Sequence, residues 1–232
     1  ERLHHSMQIL NFEITDDLKK DRIAKHIEQF LIKNKWYKGA RIRLTVYRKA
    51  EGKYTPHNQQ TGYILTGEPL VIDPIFPFKG KGRIMGMFSN MTKSNDFLSS
   101  IKTTSSLFYV LAGTYARDYG FDDVFLLNQE GNIIETVNSN VLLIKDQQLI
   151  APGPEQGALD GTMRKVVLGL AQEDGYELID KPITEQEMLD ADEIMLTNAI
   201  QGINWVKGFK DRRYYSTIGA EFSKQLNELV ND

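Results

Sequence analysis

The chain has 232 residues, 41% of them hydrophobic and 25% charged, which is enough apolar material for one large domain or two smaller ones. Its 28 basic and 31 acidic side chains give a formal charge of −3 and form no basic cluster, so we expect no nucleic-acid partner. The absence of cysteine excludes disulfides, thiol nucleophiles and thiolate metal sites.

Any chemistry must therefore rest on lysine, carboxylate or hydroxyl groups, or on a bound cofactor, and no metal site is expected. No apolar run reaches the roughly 20 residues that a membrane-spanning helix needs. The first residues also lack the pattern of a signal peptide. We therefore expect no membrane partner and a cytoplasmic location.

The first part of the chain is predicted to contain two helices and then two strands. Residues 1–10 resemble the second half of a helix, since their apolar side chains share one face and no capping residue precedes them. Thr15 is placed to cap a second helix that ends near Asn34. A strand over 41–47 alternates apolar with polar residues, and 63–66 is predicted to be its neighbour.

Prolines and glycines accumulate between residues 67 and 82 and break every periodicity. We therefore predict a small α/β domain over 1–70, a linker over 71–82 and a large domain over 83–232. In the large domain helices and strands are interspersed, in the order helix 105–119, strands 124–127, 133–135 and 140–144, helix 162–172 and helix 218–229. The sequence thus predicts a mixed α/β fold of two domains.

The segment from Ala158 to Arg164 opens a helix, with Gly161 in its first turn and Asp160 placed to cap it. Backbone amides at such a turn, together with the positive end of the helix dipole, can bind an anion, and phosphate is the usual one. A capped helix start that binds nothing is the commoner meaning of this pattern. The segment alone therefore does not establish a phosphate site.

Three further positions carry groups that suit cofactor chemistry. Glu135 ends an apolar strand, where it is either a solvent-facing residue of an edge strand or a carboxylate paired with a protonated ring nitrogen. Lys102 lies in a hydroxyl-rich segment before an apolar helix, and most such lysines are solvated. Thr197, followed by Asn198 and Ala199, ends a predicted strand, where backbone amides can face a ligand.

In this order, the four segments resemble the fold-type IV pyridoxal-phosphate (PLP) enzymes, which include branched-chain and D-amino-acid aminotransferases and aminodeoxychorismate lyase. The matching runs are Ile-Lys-Thr-Thr at Lys102, Ile-Glu-Thr-Val-Asn-Ser-Asn at Glu135, Gly-Thr-Met-Arg from Gly161 and Asp-Glu-Ile-Met-Leu-Thr-Asn-Ala around Thr197. The likeness extends over the chain and is densest over residues 100–206. It implies a two-domain fold like that of D-amino-acid aminotransferase.

The resemblance implies a site for pyridoxal 5′-phosphate. Lys102 would form the covalent imine with the cofactor aldehyde and then shuttle protons, and Glu135 would pair with the pyridinium nitrogen. The phosphate would be held by Arg2 and by the backbone of Gly161, Thr162, Met163 and Ala199, with Thr197 and Asn198 as secondary candidates.

The resemblance leaves the reaction open. It slightly favours transfer of an amino group between an amino acid and a 2-oxo acid, with a branched-chain amino acid as the first candidate. Aminodeoxychorismate lyase is the alternative, because the runs at Gly161 and Thr197 are nearer to that branch. A homologue that binds PLP without turnover is a remote third. A homodimer is expected.

Arginines on or beside the first strand are the candidates for binding the substrate carboxylate, because a planar guanidinium binds a carboxylate with two hydrogen bonds. The strongest are Arg43 and Arg48, and a solvated strand face is the alternative. Family members usually carry a further segment ahead of the first helix. The small domain is therefore expected to lack its amino-terminal part, and pocket residues from that part cannot be assigned.

Overall fold

A computed structural model describes residues 1–70 and 76–231, and the chain divides into two compact units, Glu1–Pro74 and Ile75–Asp232. Of the predicted linker over 71–82, residues 71–75 lie outside the described residues, and residues 76–82 form no helix or strand. The two units are described separately below.

The first unit combines two helices with a two-stranded antiparallel sheet. Helices α1 (Arg2–Ile9) and α2 (Lys20–Asn34) precede strands β1 (Ala40–Arg48) and β2 (Thr61–Pro69). The strands pair along their whole length, from Ala40 with Pro69 to Arg48 with Thr61. Both strands are longer than predicted, because the cross-strand hydrogen bonds continue through polar residues that show no apolar alternation.

The start of α2 differs from the prediction. Thr15 precedes a short 3-10 turn, Asp16–Leu18, and α2 begins only at Lys20, with no side-chain cap bond at either start. Leu18 is completely buried, and its carbonyl oxygen is hydrogen-bonded to His4 Nε2 at 2.6 Å. The prediction that Thr15 caps the helix is therefore wrong, because the N-cap of α2 is Lys19, after a separate turn whose last carbonyl contacts His4 of α1.

The second unit contains a sheet of nine described strands and four helices. The strands are β3 (Arg83–Lys93), β4 (Asp123–Asn128), β5 (Ile133–Thr136), β6 (Asn140–Lys145), β7 (Gln148–Ile150), β8 (Glu177–Ile179), β9 (Glu193–Asn198), β10 (Gly202–Phe209) and β11 (Arg212–Arg213). The helices are α3 (Leu107–Asp118), α4 (Thr162–Glu173), α5 (Glu185–Asp190) and α6 (Ile218–Asn231). None of the described helices is long and apolar enough to cross a membrane.

Six of the strands close into a barrel, since they pair in the order β3, β4, β5, β6, β9, β10 and β10 pairs again with β3. All six contribute to one buried apolar cluster that fills the interior, including Met85, Phe125, Ile133, Val141, Leu196 and Val206. Alternate residues face outward and form one cluster with α3 and another with α4 and α6. The predicted mixed α/β fold is confirmed.

Candidate active site

Three buried polar side chains lie in one row across the outer face of the barrel. Glu135 on β5 is paired with Asn140 on β6, which is paired in turn with Thr197 on β9. Directly paired residues of adjacent strands point to the same face of a sheet. We call these three residues the polar row. Leu126, opposite Glu135, belongs to the cluster under α3, and Ile203, opposite Thr197, belongs to the cluster under α4 and α6.

The carboxylate of Glu135 is buried, with 3% of the residue exposed, and it contacts three donors. Lys93 Nζ lies 2.6 Å from Oε1, and the Tyr109 hydroxyl donates to the same oxygen at 2.8 Å. The Leu159 amide donates to Oε2 at 2.9 Å. Because β5 lies between β4 and β6, the interpretation of Glu135 as a solvent-facing edge residue is wrong. The buried charge is instead paired and hydrogen-bonded, as such charges must be.

Lys93 and Tyr109 complete the environment of this carboxylate. Lys93 is the last residue of β3, its side chain is 11% exposed, and its Nζ lies 5.6 Å from the centre of the Tyr109 ring. Burial raises the pKa of Tyr109 well above its ordinary value, and the charge of Glu135 and the hydrogen bond to it act in the same direction. Tyr109 therefore remains a neutral donor. Neither residue is predicted from the sequence as part of the site.

The turn before α4 packs directly against the polar row. Asn140 Nδ2 donates to the Leu159 carbonyl at 2.8 Å. A Cβ atom at position 161 would lie 1.9 Å from Asn140 Oδ1, which is far inside contact distance. The turn can approach this closely only because Gly161 has no side chain.

The N-cap residue of α4 is Gly161, which has no side chain to cap the helix. Asp160, which is predicted to cap, precedes this residue and forms an ion pair with Lys165 at 2.6 Å, so the prediction places the N-cap one residue too early. The first amides of any α-helix lack partners inside the helix, and the helix dipole makes this end positive. Thr162 is exposed, whereas Met163 packs into the cluster under α4 and α6.

Thr197 provides a second, independent sign of a ligand. It is 1% exposed, and within the described part of the chain its Oγ1 has no hydrogen-bond partner. Buried hydroxyl groups are normally hydrogen-bonded, so a group left without a partner requires an explanation. Thr197 points to the same face as Asn140, whose side chain contacts the turn before α4. The hydroxyl therefore lies on the face that the start of α4 approaches.

Asn198 is the last residue of β9, and Ala199 begins the connection to β10. Asn198 Oδ1 accepts hydrogen bonds from the amides of Ile200 and Gln201 at 3.0 and 2.8 Å. Ala199 is exposed in this connection. The side chain of Asn198 is thus used to close the turn, and the predicted contacts of both residues with a phosphate stay predictions.

Lys102 lies in the segment between β3 and α3, and its side chain is exposed. This segment reaches the turn before α4, because the Asp160 amide donates to the Ser100 carbonyl at 3.1 Å. The backbone two residues before Lys102 is therefore fixed beside Gly161. The amine that contacts Glu135 is that of Lys93, and the predicted role of Lys102 stays a prediction.

The predicted arginines belong to the first unit. Arg2 lies on α1 and is partly buried, and Arg43 is exposed on β1. The guanidinium of Arg48 donates to the Leu10 carbonyl at 2.7 Å and lies 4.5 Å from the centre of the Phe12 ring. Arg48 therefore holds the end of α1, and the predicted roles of all three arginines stay predictions.

Comparison with known proteins identifies the family. The model described as amino-transferase class IV matches residues 1–209. A probable branched-chain-amino-acid aminotransferase of Synechocystis is 28% identical over 213 residues, covering 89% of this chain and 66% of that protein. An aminodeoxychorismate lyase of Vibrio harveyi is 29% identical over 128 residues, covering 55% of this chain and 47% of the lyase.

A solved structure has the same fold. The branched-chain amino acid aminotransferase of Thermobaculum terrenum, in its PLP form, matches with a TM-score of 0.85 and 22% identity, covering 99% of this chain and 76% of that one. This chain spans just under two thirds of the length of the Synechocystis relative and about half that of the lyase. Because the family model matches nearly the whole sequence, the chain belongs to the amino-transferase class IV family.

Proposed function

We propose that this chain is a PLP-dependent aminotransferase that transfers an amino group between an amino acid, of branched-chain type first, and a 2-oxo acid. One observation carries the proposal. A buried carboxylate with three donors and a buried hydroxyl with no partner among the described residues lie at the two ends of the polar row, beside the start of α4. The carboxylate suits the basic ring nitrogen of such a cofactor, and the hydroxyl and the helix start suit its phosphate. Family membership and a relative in PLP form support the proposal.

Glu135 is proposed to hold a proton on the ring nitrogen of the cofactor. The Leu159 amide and the Tyr109 hydroxyl fix the carboxylate in place and stabilise its negative charge. Bound there, the cofactor supplies a sink for the electrons that remain when a bond at the substrate α-carbon breaks. The ring nitrogen must stay protonated for this purpose, and a buried carboxylate at hydrogen-bond distance favours that state.

The start of α4 is proposed to bind the phosphate. The amides of Thr162 and Met163 lie in its first turn, where the helix dipole favours a negative charge. The Thr197 hydroxyl would donate to the phosphate, since it has no hydrogen-bond partner among the described residues. The hydrogen bond from Asn140 Nδ2 to the Leu159 carbonyl would hold the turn in place against the polar row. The contributions of Arg2, Asn198 and Ala199 rest on the family resemblance.

Lys102 is proposed as the amine that would hold the cofactor, and its Nζ would move a proton at the substrate α-carbon. The hydrogen bond between Ser100 and Asp160 supports this proposal, because it holds the segment of Lys102 at the turn before α4. For the substrate carboxylate, Arg43 is the better candidate, since the guanidinium of Arg48 already binds the chain's own carbonyl groups. A homodimer and a cytoplasmic location complete the proposal on the strength of the sequence.

Aminodeoxychorismate lyase activity is the second candidate. The Gly-Thr-Met-Arg run from Gly161 and the Thr-Asn-Ala-Ile run from Thr197 favour it, as does the lyase relative from Vibrio harveyi. Both reactions use the same binding groups and differ in which substrate bond is oriented for cleavage.

A paired assay tests the proposal. The protein saturated with PLP is given a branched-chain amino acid with 2-oxoglutarate, and separately aminodeoxychorismate. We expect amino transfer in the first reaction and none in the Lys102→Ala variant. Release of 4-aminobenzoate in the second reaction alone would assign the lyase activity instead. A protein that binds PLP and performs neither reaction would be the non-catalytic homologue, and a protein that does not bind PLP would contradict all three assignments.

A further inference from the structure

The ion pair between Lys93 and Glu135 involves the carboxylate that is proposed to bind the cofactor nitrogen. The two side chains are 11% and 4% exposed, and Lys93 Nζ lies 2.6 Å from Oε1. Glu135 contacts two further donors, the Tyr109 hydroxyl and the Leu159 amide, and both are neutral. Among the contacts of this carboxylate with the described residues, Lys93 therefore supplies the positive charge.

We infer that Lys93 competes with the ring nitrogen of the cofactor for the Glu135 carboxylate, and so sets how tightly the cofactor binds without being bonded to it. The inference rests on the proposed function. Two cations at hydrogen-bond distance from one buried carboxylate repel each other, and this repulsion is strong where water is excluded. A protonated ring nitrogen at Glu135 therefore requires Lys93 to move away. The two neutral donors carry no such conflict and can stay.

The position of Lys93 in the fold permits this movement. Lys93 is the last residue of β3, and it pairs with Asn128 only after a shift in register between Phe88 and Lys93, so the ladder at the end of β3 is irregular. Its long side chain also lies near the face of the Tyr109 ring, 5.6 Å from the ring centre, which offers its charge a second favourable contact. Lys93 can thus release the carboxylate without being left in an apolar environment.

The test measures binding of pyridoxine 5′-phosphate, which has the ring nitrogen and the phosphate but no aldehyde, so that no lysine can bond to it. Dissociation constants are measured by calorimetry for the wild type and for Lys93→Met, Lys93→Gln and Lys93→Arg. We expect about tenfold tighter binding when the charge at position 93 is removed and nearly unchanged binding in Lys93→Arg. Lys145→Met is the matched control, because Lys145 forms its ion pair with Asp192 on the partly exposed surface.

Thermal unfolding provides the second readout. Without ligand, Lys93→Met should melt below the wild type because Glu135 loses its cation, and pyridoxine 5′-phosphate should raise its melting temperature by more than it raises that of the wild type. Lys93→Gln keeps a donor for Glu135 and carries the test if Lys93→Met does not fold. If the wild type binds pyridoxine 5′-phosphate and the two uncharged variants bind it equally or more weakly, this inference is overturned. The proposed function would then still stand. A wild type that binds neither pyridoxine 5′-phosphate nor PLP would overturn the proposed function as well.

Discussion

Two glycines of the α4 segment should respond to alanine in opposite ways. At Gly161 a Cβ atom would lie 1.9 Å from Asn140 Oδ1, whereas nothing lies within 4 Å of a Cβ atom at Gly169. Asn140 is buried and donates to the Leu159 carbonyl, so it cannot turn aside without losing that hydrogen bond. Gly161→Ala must therefore displace either Asn140 or the turn.

The magnitudes follow from these contacts. Overpacking a buried site costs about 1–3 kcal/mol, and loss of the bond between Asn140 and Leu159 adds about 0.5–1.5 kcal/mol. Gly161→Ala should thus lower the free energy of unfolding by about 1.5–4.5 kcal/mol. Gly169 lies inside α4, where alanine is favoured over glycine by about 0.5–1 kcal/mol, so Gly169→Ala should raise it by that amount.

Urea unfolding of both variants measures these differences, and titration with PLP measures the effect on the site. Gly161→Ala should also weaken PLP binding by about tenfold or more, because a displaced turn no longer presents its amides beside Thr197. Gly169→Ala should leave PLP binding unchanged. A Gly161→Ala variant with wild-type stability and wild-type affinity would refute the reasoning from this close contact.

Two predictions concern stability outside the site. Glu193→Gln should lower the free energy of unfolding by about 2–4 kcal/mol, because this buried carboxylate accepts amide hydrogen bonds from Thr217, Ile218 and Gly219 at the start of α6. Urea unfolding checks this, with the exposed Glu221→Gln as control, and equal losses in both would contradict it. The Asp146 amide and then Lys145 hold the pKa of Asp192 below its ordinary value. A lowered pKa gives stability that is present above about pH 4 and lost as pH falls through the folded pKa, so Asp192→Asn should lose less stability than the wild type on acidification. Melting temperatures are measured for both proteins as a function of pH. A difference in melting temperature between Asp192→Asn and the wild type that stays the same at every pH would argue against this contribution.

Local sequence patterns were sufficient to predict about half of the helices and strands of the second unit. The helices α3, α4 and α6 and the strands β4, β5 and β6 carry clear apolar periodicity, and the structure has them within a few residues of the predicted bounds. Strand β3 was not predicted, because its second half is polar and exposed and lies after a segment rich in glycine. Its pairing with β10, which closes the barrel, joins segments far apart in the chain and leaves no local pattern.

The site could be predicted only where its groups lie in recognisable runs. Glu135, Gly161 and Thr197 belong to such runs, and the sheet register brings the first and last of them onto one face. Lys93 does not, because its contact with Glu135 spans 42 residues and depends on the irregular end of β3. The N-cap predicted at Asp160 lies instead at Gly161, because a capping residue type does not show at which residue the helix begins.

The most direct test of the central claim is to identify the lysine that bonds to PLP. The protein is incubated with PLP, reduced with borohydride, digested and mapped by mass spectrometry. A cofactor held by Glu135 and the start of α4 should leave one label, at Lys102, and the label should decrease when Gly161→Ala displaces the turn. A label at another lysine, or no label under conditions that saturate a known PLP enzyme, would contradict the account.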